Sequence, residues 1–335
     1  MINKYEKSAT EPVSEKPKVL QFLAGVDRQI IVLVVFLIVI MAVMTGISSH
    51  FLSYNNLIYV LQQSVFVMIL AFGMTFVLST GGIDLSVGSV LGISGGMTAW
   101  LITNNVNIFV AILAGLVLGM LIGVLNGLMI TKLKIIPFVA TLAMMSIARG
   151  ILYIWTKAIP FQGYMKDNFG FLGQGRVLAV PFSVIVALLI FIILLFVYRK
   201  MRFGRHVLAL GSNEESVRIS GINVDSLRIK VYALSGLLSA IAGILLSSRL
   251  TTVHPEMGSN YELEAIAASV IGGTSLAGGK GSLVGTLLGA IVLFMIKNAM
   301  NIANINPSWE TIVEGIIILA AVSLERLSHT SKKQQ

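Results

Sequence analysis

Apolar runs of about twenty residues recur along the chain from residue 29 to residue 325, separated by short polar segments. A helix of roughly 20 such residues crosses the hydrocarbon core of a bilayer, about 30 Å thick, and it satisfies its own backbone hydrogen bonds where no water is available. The runs lie at 29–49, 57–79, 85–103, 107–131, 136–156, 180–198, 231–250, 261–278, 282–300 and 309–325. They predict an all-α integral membrane protein with about ten transmembrane helices. Composition agrees, since 56% of residues are hydrophobic and 12% charged, against about a quarter charged in a soluble chain. The run 261–278 departs most from the pattern because it holds Glu262, Glu264 and a glycine pair.

The net charge of +9 does not point to nucleic acid, because the basic residues cluster in the short segments between runs, as loops retained in the cytoplasm do. With the N-terminus inside, one face collects Lys4, Lys7, Lys16, Lys18 and Arg28, then Lys132 and Lys134, the 199–230 segment, Lys280, Arg326, Lys332 and Lys333. The other face keeps only Lys157, Lys166 and Arg176. This predicts both termini in the cytoplasm: a tail over 1–28, a transmembrane domain over 29–325 and a second tail over 326–335. The first run begins too late for a secretory signal and reads as a retained anchor.

The segment after residue 156, "TKAIPFQGYMKDNFGFLGQGRVLAVP", is the longest on the sparsely charged face, and its glycine, proline and aromatic content predicts a partly structured surface element. It divides the runs into two groups of five. A duplicated unit with an odd number of spans arrives inverted, a common transporter construction. "GGIDLSVGS" and "GGTSLAGGKGS" hint at such a five-plus-five repeat, although they do not sit at matching spans.

The cytoplasmic segment 199–230 contains "GSNEESVRISG", which reads as a short helix. Ser212 and Glu215 have the spacing of a capping box. Glu214 and Glu215 suit the positive helix start and Arg218 its negative end, and Gly221 suits the left-handed position beyond it. The plain reading is a solvated connector. The functional reading is a coupling helix that fits a groove in a soluble partner and brings in energy that the chain does not generate.

"GGTSLAGGKGS" invites comparison with the phosphate-cradling G-x-x-x-x-G-K-[ST] loop but fails on spacing. Counting back from Lys280 puts Thr274 where the first glycine belongs, and Gly281 stands where Ser or Thr should follow the lysine. No nucleotide site is read here. Gly272 and Gly273 are instead read as close helix packing or as a break in a helix lining a pathway. The absence of cysteine and the four scattered histidines argue against a metal centre; no cofactor is expected.

Ionisable groups within spans are costly and usually face a bundle interior or a cavity. Arg249 and Lys297, near the ends of their runs, are expected to snorkel, and Glu310 to complement the start of the last helix. Arg149 and Glu314 lie deeper and are candidates for pairing with one another or for lining a cavity. Gln62, Gln63, Asn126 and Thr141 offer weak hydrogen bonds to a passing solute, or to neighbouring helices. Asp84, in "LSTGGIDLSVGSV", has two readings. Span arithmetic puts it at a cytoplasmic turn, capping the next helix with Ser86 just inside and Gly81 and Gly82 allowing a tight turn. A helix broken inside the membrane would put it on a pathway.

"LSTGGIDLSVGSV", "NGLMITKLKIIPFVATLAMMSIARG", "RFGRHVLALGSNEESVRISGINV" and "AIAASVIGGTSLAGGKGSLVGTLLGA" together resemble the permease subunits of ribose-type bacterial ABC importers, over roughly residues 50 to 325. The resemblance implies a non-catalytic, multi-pass protein of the bacterial inner membrane. It would act with a second permease subunit, identical or not, two cytoplasmic ATP-binding subunits and an extracytoplasmic sugar-binding protein. It also implies that the "GSNEESVRISG" loop docks on the ATPase. The rival readings from the residues are an ion-coupled secondary transporter and a passive channel.

Overall fold

The computed structural model describes residues 28–162 and 167–332, so the expected N-terminal tail lies outside the described residues except for Arg28. The described residues form thirteen helices and one small hairpin: α1 (Arg28–Ile47), α2 (Tyr54–Ser79), α3 (Val87–Thr103), α4 (Ile108–Thr131), α5 (Pro137–Thr156), α6 (Asp167–Gln174), β1 (Arg176–Val177), β2 (Val180–Pro181), α7 (Phe182–Lys200), α8 (Arg202–Ser212), α9 (Glu214–Ile219), α10 (Val224–Leu250), α11 (Tyr261–Ile271), α12 (Leu283–Ile302) and α13 (Ser308–Lys332). The partly structured element expected after residue 156 is α6 with the antiparallel β1–β2 hairpin.

Among the described residues, seven helices are long and apolar enough to cross a membrane: α1, α2, α4, α5, α7, α10 and α12. The other three expected spans behave differently. α3 has only 17 residues, about 25 Å at 1.5 Å per residue, because its first turns are replaced by the irregular segment Thr80–Ser86. The expected span 261–278 is corrected: α11 stops after 11 residues, about 16 Å, and Gly273, Gly278 and Gly279 follow with φ of +95°, +87° and +74°. α13 continues past residue 325, to Lys332.

α2 and α10 form the buried centre. α10 packs on α4, α3 and α2, while α12 packs on α11, α2 and α1. The close crossing of α4 and α10 is set by small residues: a Cβ on Gly119 would come within 2.6 Å of the Ala240 Cβ. Without a hydrophobic force between helices in lipid, such backbone approach is what holds them together. The lipid-ready faces of α4, α5 and α7 are exposed, with Phe109, Leu113, Ile147, Ile154, Ile192 and Phe196 pointing outward.

One end of the bundle is basic. It carries α8, α9, the end of α4 and the start of α10, tied by Lys132 to Asp225 at 3.1 Å. The opposite end carries α6 and the hairpin.

Candidate functional site

Two irregular segments enter the bundle from opposite ends. The first follows α2, where Gly81 turns the chain at φ +77° and residues 80–86 fold back inside. Asp84 is 1% exposed. Its Oδ1 accepts from the Ser86 N–H (3.0 Å) and Ser86 Oγ (2.6 Å), and its Oδ2 accepts from Ser235 Oγ (2.8 Å). Asn126 Nδ2 donates to Ser86 Oγ at 2.8 Å, and Thr141 Oγ1 donates to the Ile83 carbonyl at 3.2 Å. A Cβ on Gly82 would collide with the Tyr232 hydroxyl. Ser235 is eleven residues into α10, so Asp84 lies about 17 Å from that helix's basic-end start. The cytoplasmic turn drawn from span arithmetic is corrected: Asp84 is buried inside the protein, in the irregular break between α2 and α3, where it accepts from Ser86 ahead of the helix. The arithmetic failed because it let both runs be complete helices. Ser86 is the N-cap residue of α3, and its side chain makes no cap bond.

The second segment, 251–260, enters from the other end and leads into α11. Met257 approaches Gly92, and Gly258 approaches Gly88 so closely that a Cβ on either glycine would strike the other's carbonyl. Gly88 is three residues before Leu91, whose carbonyl abuts Gly243, seven residues from the end of α10. The segment therefore dips roughly 15 Å below that end. The starts of α3 and α11 consequently meet inside the bundle, with Glu262 buried beside Gly88.

Arg149 spends its guanidinium on this segment, donating to the carbonyls of Pro255 (3.0 Å) and Met257 (2.7 Å). Its expected pairing with Glu314 is corrected. Glu314 is ion-paired with Lys297, which also binds Glu264 at 2.8 Å. Snorkelling is likewise corrected for both basic residues: Lys297 joins α11, α12 and α13, and Arg249 donates to the Gln62 carbonyl and Gln63 Oε1, each at 3.1 Å. Gln62 and Gln63 are thus committed within the fold. Glu310 lies in the first turn of α13 as expected and accepts from Asn301 at 3.2 Å.

At the basic end, α9 is capped by Asn213, whose side chain accepts from the Ser216 N–H at 2.9 Å. The Ser212 capping box is corrected, because Ser212 closes α8 and bonds back to the Leu208 carbonyl. Glu214 and Glu215 occupy the first turn and Arg218 the last, and Gly221 has φ +79°. Glu214 bonds Arg218 at 2.9 Å and Arg228, in α10, at 2.6 Å. Partial burial raises its carboxyl pKa, but the two guanidiniums outweigh this and hold it below the usual value.

The helix pair is built onto both glycine motifs. A Cβ on Gly211 would strike the Ser79 carbonyl and the Gly279 N–H, which bond one another at 3.0 Å. Gly278 lies against Gly81 and Gly211, so "GGIDLSVGS" and "GGTSLAGGKGS" touch. Gly272 packs against Gly285 on α12, and Gly273, at φ +95°, begins the irregular stretch that follows α11. Ser79, Tyr198, Arg228, Ser235 and Asn213 escaped the sequence reading. Only Asn213, itself a favoured cap residue, and Ser235, repeated at Ser239 one turn on, left a local signal.

These features define an α-helical membrane protein with several candidate membrane-crossing helices. Residues 56–322 match the family described as branched-chain amino acid transport system / permease component. The ribose import permease proteins RbsC of Bacillus subtilis and Escherichia coli K12 are 43% and 42% identical over 292 residues. They cover 87% and 86% of this chain and 90% and 91% of their own lengths. The L-arabinose transport system permease protein AraH of Escherichia coli K12 is 41% identical over 265 residues, 78% of this chain and 80% of its own. The chain belongs to this family of membrane-embedded transport permeases. The resemblance drawn from its four motifs holds, and the ion-coupled alternative is set aside.

Proposed function

We propose that the chain is the membrane-spanning subunit of an ATP-driven importer for a sugar or similar polyol. The family description names branched-chain amino acids, but relatives 41–43% identical to this chain are named for ribose and arabinose. The carrying observation is the contact of the α8–α9 pair with both glycine motifs at Gly211. It gives a soluble motor a direct mechanical route to the two breaks. Gly211, Ser212, Glu214, Glu215, Arg218 and Gly221 serve ATPase coupling, while Gly81, Gly82, Asp84, Ser86, Asn126, Arg149, Gly272, Gly273 and Glu314 hold the pathway's walls and breaks in place.

In this reading the chain crosses the inner membrane ten times with both termini in the cytoplasm, α11 completing its crossing as irregular backbone. The two short helices, α3 and α11, are each third in their group of five, which supports an inverted repeat with the solute route between them. ATP is bound and hydrolysed by separate subunits at the basic end. A second permease subunit completes the channel, and a soluble binding protein delivers the sugar from outside.

The test is reconstitution of the chain in proteoliposomes with its cognate ATP-binding subunits and binding protein. Uptake of one labelled pentose or hexose should require ATP and all components. In a Glu215→Ala/Arg218→Ala variant, hydrolysis should uncouple from uptake. Uptake of leucine but of no sugar would overturn the substrate assignment, and unchanged coupling in the double variant would overturn the role of α9.

A further inference from the structure

We propose that the depression leading down to segment 251–260 is a subsite that takes the sugar from outside before translocation; this rests on the sugar-importer reading above. The cavity, of about 470 Å³, is formed where the end of α5, the segment after it, the end of α10 and the start of α11 converge. That size is within the range of small-molecule sites. Its chemistry is two-sided. Tyr153, Tyr261 and Pro160 offer flat apolar faces for the C–H side of a sugar ring, while His254, Glu256 and Ser259 offer hydrogen-bond partners for hydroxyls. Among the described residues lining it there is no lysine or arginine, and the carboxylate of Glu256 already accepts from the Tyr153 hydroxyl at 3.1 Å. A neutral polyol fits such a wall; an anion or an amino acid zwitterion does not.

The walls are fixed in advance. Phe161 and Val253 exchange backbone hydrogen bonds of 3.1 and 3.0 Å, joining the segment after α5 to the one after α10. Lys157, Ala158, Thr251 and Asn260, all non-glycine, are held at φ between +53° and +68°, a sparsely populated conformation that persists only where surroundings enforce it and that gathers at binding sites. Arg149 does much of the enforcing through Pro255 and Met257, which makes it a positioning residue here. Irregular backbone this far inside a membrane protein is tolerated where it lines a watery cavity. Ser259 is exposed although its neighbour Gly258 lies beside α3 deep in the bundle.

The chain has no cysteine, so Ser259→Cys and His254→Cys variants each carry one thiol for a membrane-impermeant reagent. The assay uses the reconstituted importer with a panel of D-ribose, L-arabinose, D-xylose, D-galactose and D-glucose. The sugar that the wild type takes up should slow labelling at both positions about threefold when present at twice its dissociation constant. Labelling of Val177→Cys, on the hairpin, should not change. Adding Arg149→Gln should remove the protection.

Unprotected thiols in an importer that transports the sugar would overturn the subsite and leave the importer reading standing. Protection by sugar-free binding protein but not by sugar would overturn it in favour of a protein-docking surface. Uptake of no sugar in the panel would overturn both.

Discussion

Replacing Lys297 with methionine tests whether the buried charge cluster is a structural clamp. The lysine side chain is 17% exposed and its partners Glu264 and Glu314 are 8% and 17% exposed. Methionine fills the aliphatic volume and removes only the ammonium. Two carboxylates are then left facing each other out of water, and Glu264, whose Oε2 already accepts no hydrogen bond, loses the Lys297 bond to its Oε1 as well. Breaking a buried pair by removing one member costs about 3–5 kcal/mol, mostly as the penalty on the charge left behind. At about 2.1 cal/mol/K of unfolding entropy per residue, a chain of 335 residues should lose roughly 4–7 °C in Tm. Tryptophan fluorescence of the purified permease in nanodiscs, heated at one scan rate, reads the shift. Adding Glu264→Gln to Lys297→Met should recover at least half of it, because the lost term is charge and not packing. A single variant within 2 °C of wild type, or a double variant no better than the single, would refute this account.

Asp84→Asn keeps an acceptor for Ser86 and presents a donor to Ser235, whose hydroxyl can turn to accept; it should cost about 1 kcal/mol and leave uptake measurable, whereas Asp84→Leu should fail to accumulate in membranes. Gly211→Ala places a methyl against two backbones, and an expected cost of about 1–3 kcal/mol should be accompanied by loss of ATP-driven uptake while sugar protection of the Ser259→Cys thiol persists. Glu214→Gln should raise amide exchange across 214–219 by freeing α9 from Arg228. Because the folded-state pKa of Glu214 is lowered, its contribution is present above the unfolded value and lost only as pH falls through the lower folded one. Wild-type protection corrected for intrinsic rates should therefore hold between about pH 7 and 5.

Hydropathy located the elements whose burial is a property of length and composition. The seven long spans, the charged rod and its Gly221 terminus were all legible. What was not legible depends on partners distant in sequence. The carboxylate of Asp84 is satisfied by Ser235 and the charge of Lys297 by Glu264 and Glu314. A window of twenty residues contains neither answer, so arithmetic placed Asp84 at a cytoplasmic turn and let Lys297 reach for the interface. α11 failed for a different reason: apolar composition continues to residue 278, but the positive φ of Gly273 ends the helix first. The cap at Asn213 was missed because two good cap residues are adjacent, and only the length of α8 decides between them.

The separation between Asp84 and Ser235 has a consequence for biogenesis. Ser235 follows 151 residues later, which at 5–20 residues per second is about 8–30 s of synthesis. During that interval α2 and α3 are already made while the carboxylate between them has only Ser86 to bind. A lone carboxylate is expelled from hydrocarbon, so the 80–86 segment should wait at the water boundary and be drawn inward only when α10 arrives. Nascent chains arrested before residue 235 should therefore expose a thiol placed at Ile83, and chains released beyond α10 should hide it.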